Sequence, residues 1–385
     1  MFKDSMEKIE ADKFDEALPA LDDIINLDPL VTSAYLQRGR AHWEMHRWDL
    51  ALKDFNRALV LAPDNADGQW TVGLIELQLG NFERGWELYD KRWDSKLFKS
   101  PRLKTRLPEW RPWRGYQSVL VWCEQGIGDQ IIYGSMLRAV RKCTKKVTAM
   151  VDVRLMNLFQ RANPDIQFVP HDTKIKNSEY DSQIAVASIG RHFIKQLSDI
   201  SNYVSTNYLA HDLNRVPQTK AELRAKPDDF VIGLSWASTS PRIDKHKSVT
   251  LDELVGLWDI PNAKIVNLQY GKPQGDIKPF EDKTGKIVHE FYTDNFFDLE
   301  GVAAAMSLCH VIVSVSNANV HLAAAMGKPV YVLDANKLWY WNHKDGNRSL
   351  FYPSVKLFPR ESMTAPWTKQ IEELIEEIKK DRGAA

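Results

Sequence analysis

Three short stretches combine residue types that hold anions or move protons. The first is CEQGIGDQIIY, residues 123–133. An apolar run, Val119-Leu120-Val121-Trp122, reads as a buried strand. The chain then turns through Gly126 and Gly128, and Asp129 opens a helical pattern whose apolar positions are Ile131, Ile132, Met136, Leu137 and Val140. A strand that turns through glycines into a helix leaves backbone N–H groups at a positive helix end, where a phosphate is favoured. Asp129 is the acid fixed inside this turn. It can take a proton from an attacking hydroxyl. Glu124, two residues before the glycines, is the second choice. The plain alternative is an ordinary glycine turn with a capping aspartate.

The second stretch is Ser316-Asn317-Ala318-Asn319-Val320-His321, between an apolar run and an Ala-rich pattern. Ser316 or Asn317 can cap the helix that starts there and leave free N–H groups for a diphosphate, and His321 can point back to the same mouth. Capping alone, and a buried hydrogen-bonded histidine, are the competing readings. The third stretch, TSPRIDKHKSV (239–249), carries Arg242, Lys245, His246 and Lys247. Lysines placed beside a departing diphosphate stabilise the charge that develops there more than they stabilise the ground state. A solvated basic loop is the alternative. No Ser-His-Asp order, HExxH helix, P-loop or EF-hand is found, which sets hydrolase and metalloenzyme readings low.

These stretches need rigid elements to hold them. Strand-like runs at 147–153, 166–170 and 182–187 follow the first one, with a helix around 154–162. A polar segment, 211–229, reads as a linker. A second alternation then runs through strands 230–238, 264–270, 310–316 and 328–334, a short candidate strand at 286–289, and helices at 251–258, 298–308 and 317–326. Alternating strands and helices imply parallel sheets. Two such halves place the loops 124–129, 236–248, 269–275 and 316–321 at one cleft, because ligands bind outside the carboxyl ends of parallel strands.

The first hundred residues repeat. Phe14, Trp48 and Phe82 are spaced by 34, as are Ala17, Ala51 and Gly85, Gly39 and Gly73, and Pro29 and Pro63. Small residues at fixed places let paired helices approach closely, and the period resembles that of the tetratricopeptide repeat. Three units are read, roughly 1–31, 32–65 and 66–99. Between 96 and 116 the pattern gives way to prolines, tryptophans and arginines, a packed connector.

Composition narrows the class. The 385 residues allow two or three domains, and 51 basic residues balance 51 acidic ones, so no global field points to nucleic acid. Three scattered cysteines suggest neither a metal site nor a disulfide framework. No run approaches a membrane span. The expectation is a soluble, cytoplasmic protein.

The motifs together resemble bacterial tetratricopeptide-repeat glycosyltransferases whose catalytic half is related to the ADP-heptose:lipopolysaccharide heptosyltransferases. The resemblance rests on CEQGIGDQIIY (123–133), VIGLSWAS (231–238), DKHKSVTLDEL (244–254), NLQYGK (267–272), VIVSVSNANVHLAAAMGKPVYVL (311–333) and the closing WYWN and RSLFYPSVKLF runs within 339–358. It implies a GT-B fold, a sugar-nucleotide donor held mainly by the C-terminal half, and inverting transfer with no cofactor and no obligatory metal. Residue by residue, Asp129 corresponds to the proposed general base, and Gly126 and Gly128 to its loop. Lys245 or Lys247 corresponds to the basic residue on the donor phosphates, and Ser316, Asn317 and His321 to the phosphate-binding helix start. Gln269 corresponds to a glutamine at the donor rim, and Glu300 to a ribose contact. Relatives commonly carry Asp-Thr where this chain has Ser316-Asn317.

The domain expectation is repeats over 1–99, a connector at 100–117, and an acceptor-side Rossmann-like domain over 118–210. A linker at 211–229, a donor-binding Rossmann-like domain over 230–365 and a C-terminal helix over 366–385 complete it. The functional expectation is transfer of a sugar from a nucleotide-sugar donor to a glycan or protein hydroxyl, the acceptor docked by the repeats. The rival expectations are an inactive scaffold with the same fold, or a sugar-nucleotide epimerase.

Overall fold

The structure, a computed structural model, describes residues 1–238, 244–335, 337–341 and 346–383, with the side chains of 244 and 245 outside it. Three helical hairpins come first: α1 (Phe2–Glu10) with α2 (Phe14–Leu27), α3 (Thr32–Glu44) with α4 (Trp48–Leu61), and α5 (Ala66–Leu79) with α6 (Phe82–Tyr89). The 34-residue spacing also sets their turns. Asp12, His46 and Gly80 stand at the same place in the three hairpins, each with positive φ (60°, 58° and 84°). Only the last is glycine, so the first two turns carry mild backbone strain. The repeated small residues are explained by contact. A Cβ on Gly73 would lie 2.6 Å from the backbone nitrogen of Tyr89. Arg38 fastens successive hairpins, with a forked pair of hydrogen bonds to the buried Asp54 (2.8 and 2.6 Å) and a third to Asp22 (2.6 Å).

Two parallel sheets follow. In the first, β1 (Ser118–Trp122), β2 (Lys146–Val151), β3 (Gln167–Pro170) and β4 (Ser182–Ala185) lie in the order β3-β2-β1-β4. In the second, β5 (Phe230–Ser235), β6 (Ala263–Asn267), β7 (Val311–Val315), β8 (Val330–Asp334) and β9 (Val355–Pro359) lie in the order β6-β5-β7-β8-β9. The strands are near-continuous apolar runs because helices cover both sheet faces. Each order reverses next to its first strand, which opens a crevice at the carboxyl ends there. These are two Rossmann-like halves facing one cleft, the GT-B arrangement. The last helix, Thr368–Gly383, buries Gln370, Ile371, Leu374 and Ile378 on one stripe.

The repeats are riveted to both halves. The buried Trp86 of α6 donates its indole N–H to the Ile194 carbonyl (3.0 Å) and packs edge-on against Trp339, with ring centroids 5.1 Å apart. Arg92, fully buried in the turn after α6, hydrogen-bonds Glu124 (2.8 Å), Ser188 (2.8 Å) and Asp90 (2.6 Å).

Several local readings need correction. The segment 211–229 contains a helix, Val216–Leu223, because Pro217 in its first turn has no intrahelical N–H to lose. The expected helix at 251–258 is a turn followed by a 3-10 helix, Val255–Asp259. Residues 286–289 contribute one isolated bridge, Val266 to His289. Two elements were hidden. Prolines and a glycine disguise the helix Gln274–Thr284, and β9 lies within a closing motif that gives no alternating pattern.

Candidate active site

The first site helix begins earlier than its apolar pattern suggests. It spans Ile127–Gly134, with Gly126 as N-cap in an extended conformation (φ −81°, ψ 175°). Asp129 is therefore the third helical residue rather than the cap. Its carboxylate reaches back to accept the Gly126 N–H at 3.2 Å, half of a capping box. The sharp reversal falls on Gln125, at φ 68°. The repeat side holds this strained residue. Its N–H donates to Ser100 Oγ (3.0 Å) and its side-chain amide to Tyr89 Oη (3.2 Å).

The second helix start faces the first. Asn317 caps the helix Ala318–Ala325, with its side-chain oxygen accepting the Asn319 N–H at 3.0 Å. The two helix starts nearly touch. A Cβ on Gly128 would sit 3.0 Å from His321 Cδ2, tighter than an ordinary contact, so glycine lets the two helix starts pack without displacing the imidazole. Together they line a cavity of about 390 Å³ with Gly126, Gly128, Asp129, Lys247, Ser316, Asn317, Asn319 and His321 on its wall.

The electrostatics follow from burial. Burial raises the Asp129 carboxyl to about 6, against the pull of the Gly126 N–H and of the Lys247 ammonium. Burial also lowers the Lys247 pKa, opposed by Asp334 and Asp129. Lys247 is 8% exposed, and among the described residues it makes no ion pair or hydrogen bond. His321 is pushed down to about 3, by burial first and then by Lys247, so its imidazole is neutral. Its ring stacks on Trp341 (5.1 Å, 8° between planes), and its Nδ1 lies 3.1 Å from the Tyr352 hydroxyl.

Asn317 uses both ends of its amide. The oxygen also accepts from Ser314 Oγ (3.2 Å), while the nitrogen donates to Ser235 Oγ (2.9 Å) and the Ala237 carbonyl (3.1 Å). Asn319 donates to the same Ser235 Oγ (3.2 Å) and to the Leu268 carbonyl (2.7 Å). A threonine at 317 has no side-chain amide nitrogen to make those two contacts. The asparagine is fitted to its surroundings as a donor and a cap. Ser316 Oγ accepts from the Trp341 indole at 3.2 Å.

Other candidates sit elsewhere. Gln269 is not at the rim: it is 3% exposed beneath the cleft, and its oxygen gathers Ser235 Oγ, Trp236 N and Ala237 N at 2.8 to 3.1 Å. It thereby fixes the end of β5. Glu300 pairs with Arg161 (3.2 Å) and ties the second half to the first outside the cavity. Glu124 is buried behind the loop in its pair with Arg92, so it faces away from any substrate. The side chain of Lys245, and all of Arg242, lie outside the described residues. The sequence reading also overlooked Arg154. Asp152 holds it by two contacts (2.9 and 2.8 Å), and it reaches across the cleft to the Phe296 carbonyl (2.9 Å). Its signal was its place just past the carboxyl end of β2.

Residues 36–92 match the tetratricopeptide repeat family. Protein FlbA of Caulobacter vibrioides is 27% identical over 367 residues, covering 88% of this chain, and the chain spans 60% of the length of that curated relative. Similar solved structures include a family 9 glycosyl transferase from Veillonella parvula. It is 12% identical, covers 72% of this chain and 100% of its own, and gives a TM-score of 0.49. The ADP-heptose lipopolysaccharide heptosyltransferase II of E. coli is 12% identical, with coverage of 68% and 99% and a TM-score of 0.48. An O-GlcNAc transferase variant from Thermobaculum terrenum, also 12% identical, covers 99% of this chain and 89% of its own at a TM-score of 0.33. Among the described residues no helix is long and apolar enough to cross a membrane, and no cluster of three or more metal-ligating side chains is found.

Proposed function

We propose that this protein is a glycosyltransferase that moves a sugar from a nucleotide-sugar donor to a hydroxyl acceptor with inversion at the anomeric carbon. The observation that carries the reading is Lys247. It is a lysine buried in the cleft that makes no ion pair or hydrogen bond among the described residues, with Asp334 and Asp129 acting on it only from beyond ion-pair distance, and it lines the same cavity as the helix start at 317–321. A buried cation is costly when unpaired, and a diphosphate would supply the missing counter-charge.

In this reading the donor diphosphate lies against Lys247 and the 317–321 helix start. Asp129, across the cavity, takes the proton of the acceptor hydroxyl. The oxygen forms its bond to the anomeric carbon as the bond to the diphosphate breaks on the opposite face. A carboxyl near 6 is ionised at neutral pH yet basic enough to accept that proton. Lys247 and the helix N–H groups fill the charge-stabilising role that a metal plays in other transferases, so no metal is required. The repeats present the acceptor, a protein or a glycan-bearing partner. Free cysteines at 123, 143 and 309 suit a reducing cytoplasm.

The test is release of nucleoside diphosphate from a panel of sugar nucleotides, with and without a cell extract as acceptor source. Acceptor-dependent release that Asp129→Asn abolishes supports transfer. Conversion of the sugar nucleotide without acceptor would indicate an epimerase. Tight nucleotide binding with no turnover would indicate a scaffold.

A further inference from the structure

The connector between the repeats and the first sheet carries a row of cations that the reaction above does not use. From 102 to 107 exposure alternates. Arg102, Lys104 and Arg106 are exposed, while Leu103, Thr105 and Leu107 are half-buried. Leu103 and Leu107 pack on the cluster formed by Leu120, Trp122, Met150 and Tyr180. Thr105 Oγ1 donates to Asn177 Oδ1 at 2.9 Å, which brings the segment holding the exposed Lys174 and Lys176 alongside. Among the described residues none of these five cations makes an ion pair. The row starts at the catalytic loop, because Ser100 Oγ receives the N–H of Gln125, next to the cavity-lining Gly126. The repeats, by contrast, are acidic: residues 1–89 hold 17 carboxylates against 9 lysines and arginines.

We propose that this ribbon binds an acidic polypeptide segment of the acceptor in extended form and leads it to Asp129. The proposal rests on the transferase reading for its destination but not for the binding itself. The chemistry is a match of period. Outward side chains two residues apart along an extended chain are spaced about 6.6 Å, and alternate carboxylates on a second extended chain have the same spacing. Charge complementarity then fixes the register and speeds encounter. A membrane surface fits less well, because the apolar side chains of the ribbon are turned inward and leave no anchor among cations 102–106.

The experiment uses the whole chain and a fluorescein-labelled (Glu-Ser) repeat peptide of about a dozen residues, with anisotropy read at low and at roughly physiological salt. The variant is R102S/K104S/R106S, all at exposed positions. The control variant K278S/K369S/K379S removes three cations from the second half. The expected result is salt-sensitive binding that weakens about tenfold or more in the ribbon variant and is unchanged in the control. Equal binding by the ribbon variant and wild type would overturn the proposal. So would binding to vesicles containing anionic lipid with none to the peptide. Nucleotide binding, followed separately by thermal shift, should be the same in the ribbon variant. If the peptide binds and no sugar nucleotide does, the transferase reading fails while the ribbon stands.

Discussion

Asp129→Asn should make the protein more stable and nearly inactive, and both effects should depend on pH in a defined way. The fold raises this carboxyl from its ordinary 3.8 to about 6. A raised acid binds its proton more tightly when folded, so its ionisation works against the fold. That cost is absent below about pH 4, grows between about 4 and 6, and is complete above about 6. Two units correspond to about 3 kcal/mol, and water at the cleft mouth trims this to about 2 kcal/mol. Asparagine mimics the protonated acid and keeps an oxygen for the Gly126 N–H. The variant should therefore gain about 2 kcal/mol at pH 8, seen as a rise of a few degrees in Tm, and gain nothing at pH 4. Loss of the base should lower kcat by about 10²–10⁴ while nucleotide binding persists. Urea or thermal unfolding across pH 4–8, paired with turnover, checks both halves. A variant no more stable at pH 8 than at pH 4 relative to wild type would refute the electrostatic reasoning. An active one would refute the catalytic role.

Other outcomes follow from the same geometry. Wild-type kcat/KM should fall as pH drops through about 6. Lys247→Met should move that limb to higher pH by removing a cation that holds the Asp129 pKa down, which a pH–rate profile reads directly. Gly128→Ala forces a methyl to within 3.0 Å of His321 Cδ2 and should cost about 1–3 kcal/mol of stability and spread the two helix starts, measured by denaturation and nucleotide affinity. Arg92→Met strands the buried Glu124 and should cost about 3–5 kcal/mol, whereas Arg92→Met/Glu124→Gln should recover much of it in a denaturation cycle.

The alternation of apolar strands and Ala-rich helices was legible because parallel strands buried on both faces must be continuously apolar. Ser316 to His321 was legible for a related reason: polar residues packed between an apolar strand and a helix have few uses other than capping and binding. The long-range pairings were not. Nothing local in Gln269 shows that its oxygen gathers three donors from the end of β5, and nothing in Glu124 shows that Arg92, thirty-two residues earlier, neutralises it. Glu300 was expected at a ribose only from the family resemblance, and nothing local in it shows that its partner Arg161 comes from the other half. The alternation of Arg102, Lys104 and Arg106 was visible in the letters. Its meaning depended on which face the connector packs, which only the tertiary structure supplies.

The most direct test of the central claim is a thermal-shift panel of nucleoside diphosphates and sugar nucleotides on wild type and Lys247→Ala. A ligand at 100 times its Kd stabilises the folded state by about 2.7 kcal/mol. One nucleotide series should shift wild type by several degrees, and the variant should lose most of that shift. No shift with any nucleotide, or an equal shift in the variant, would contradict a diphosphate site built on Lys247 and the 317–321 helix start.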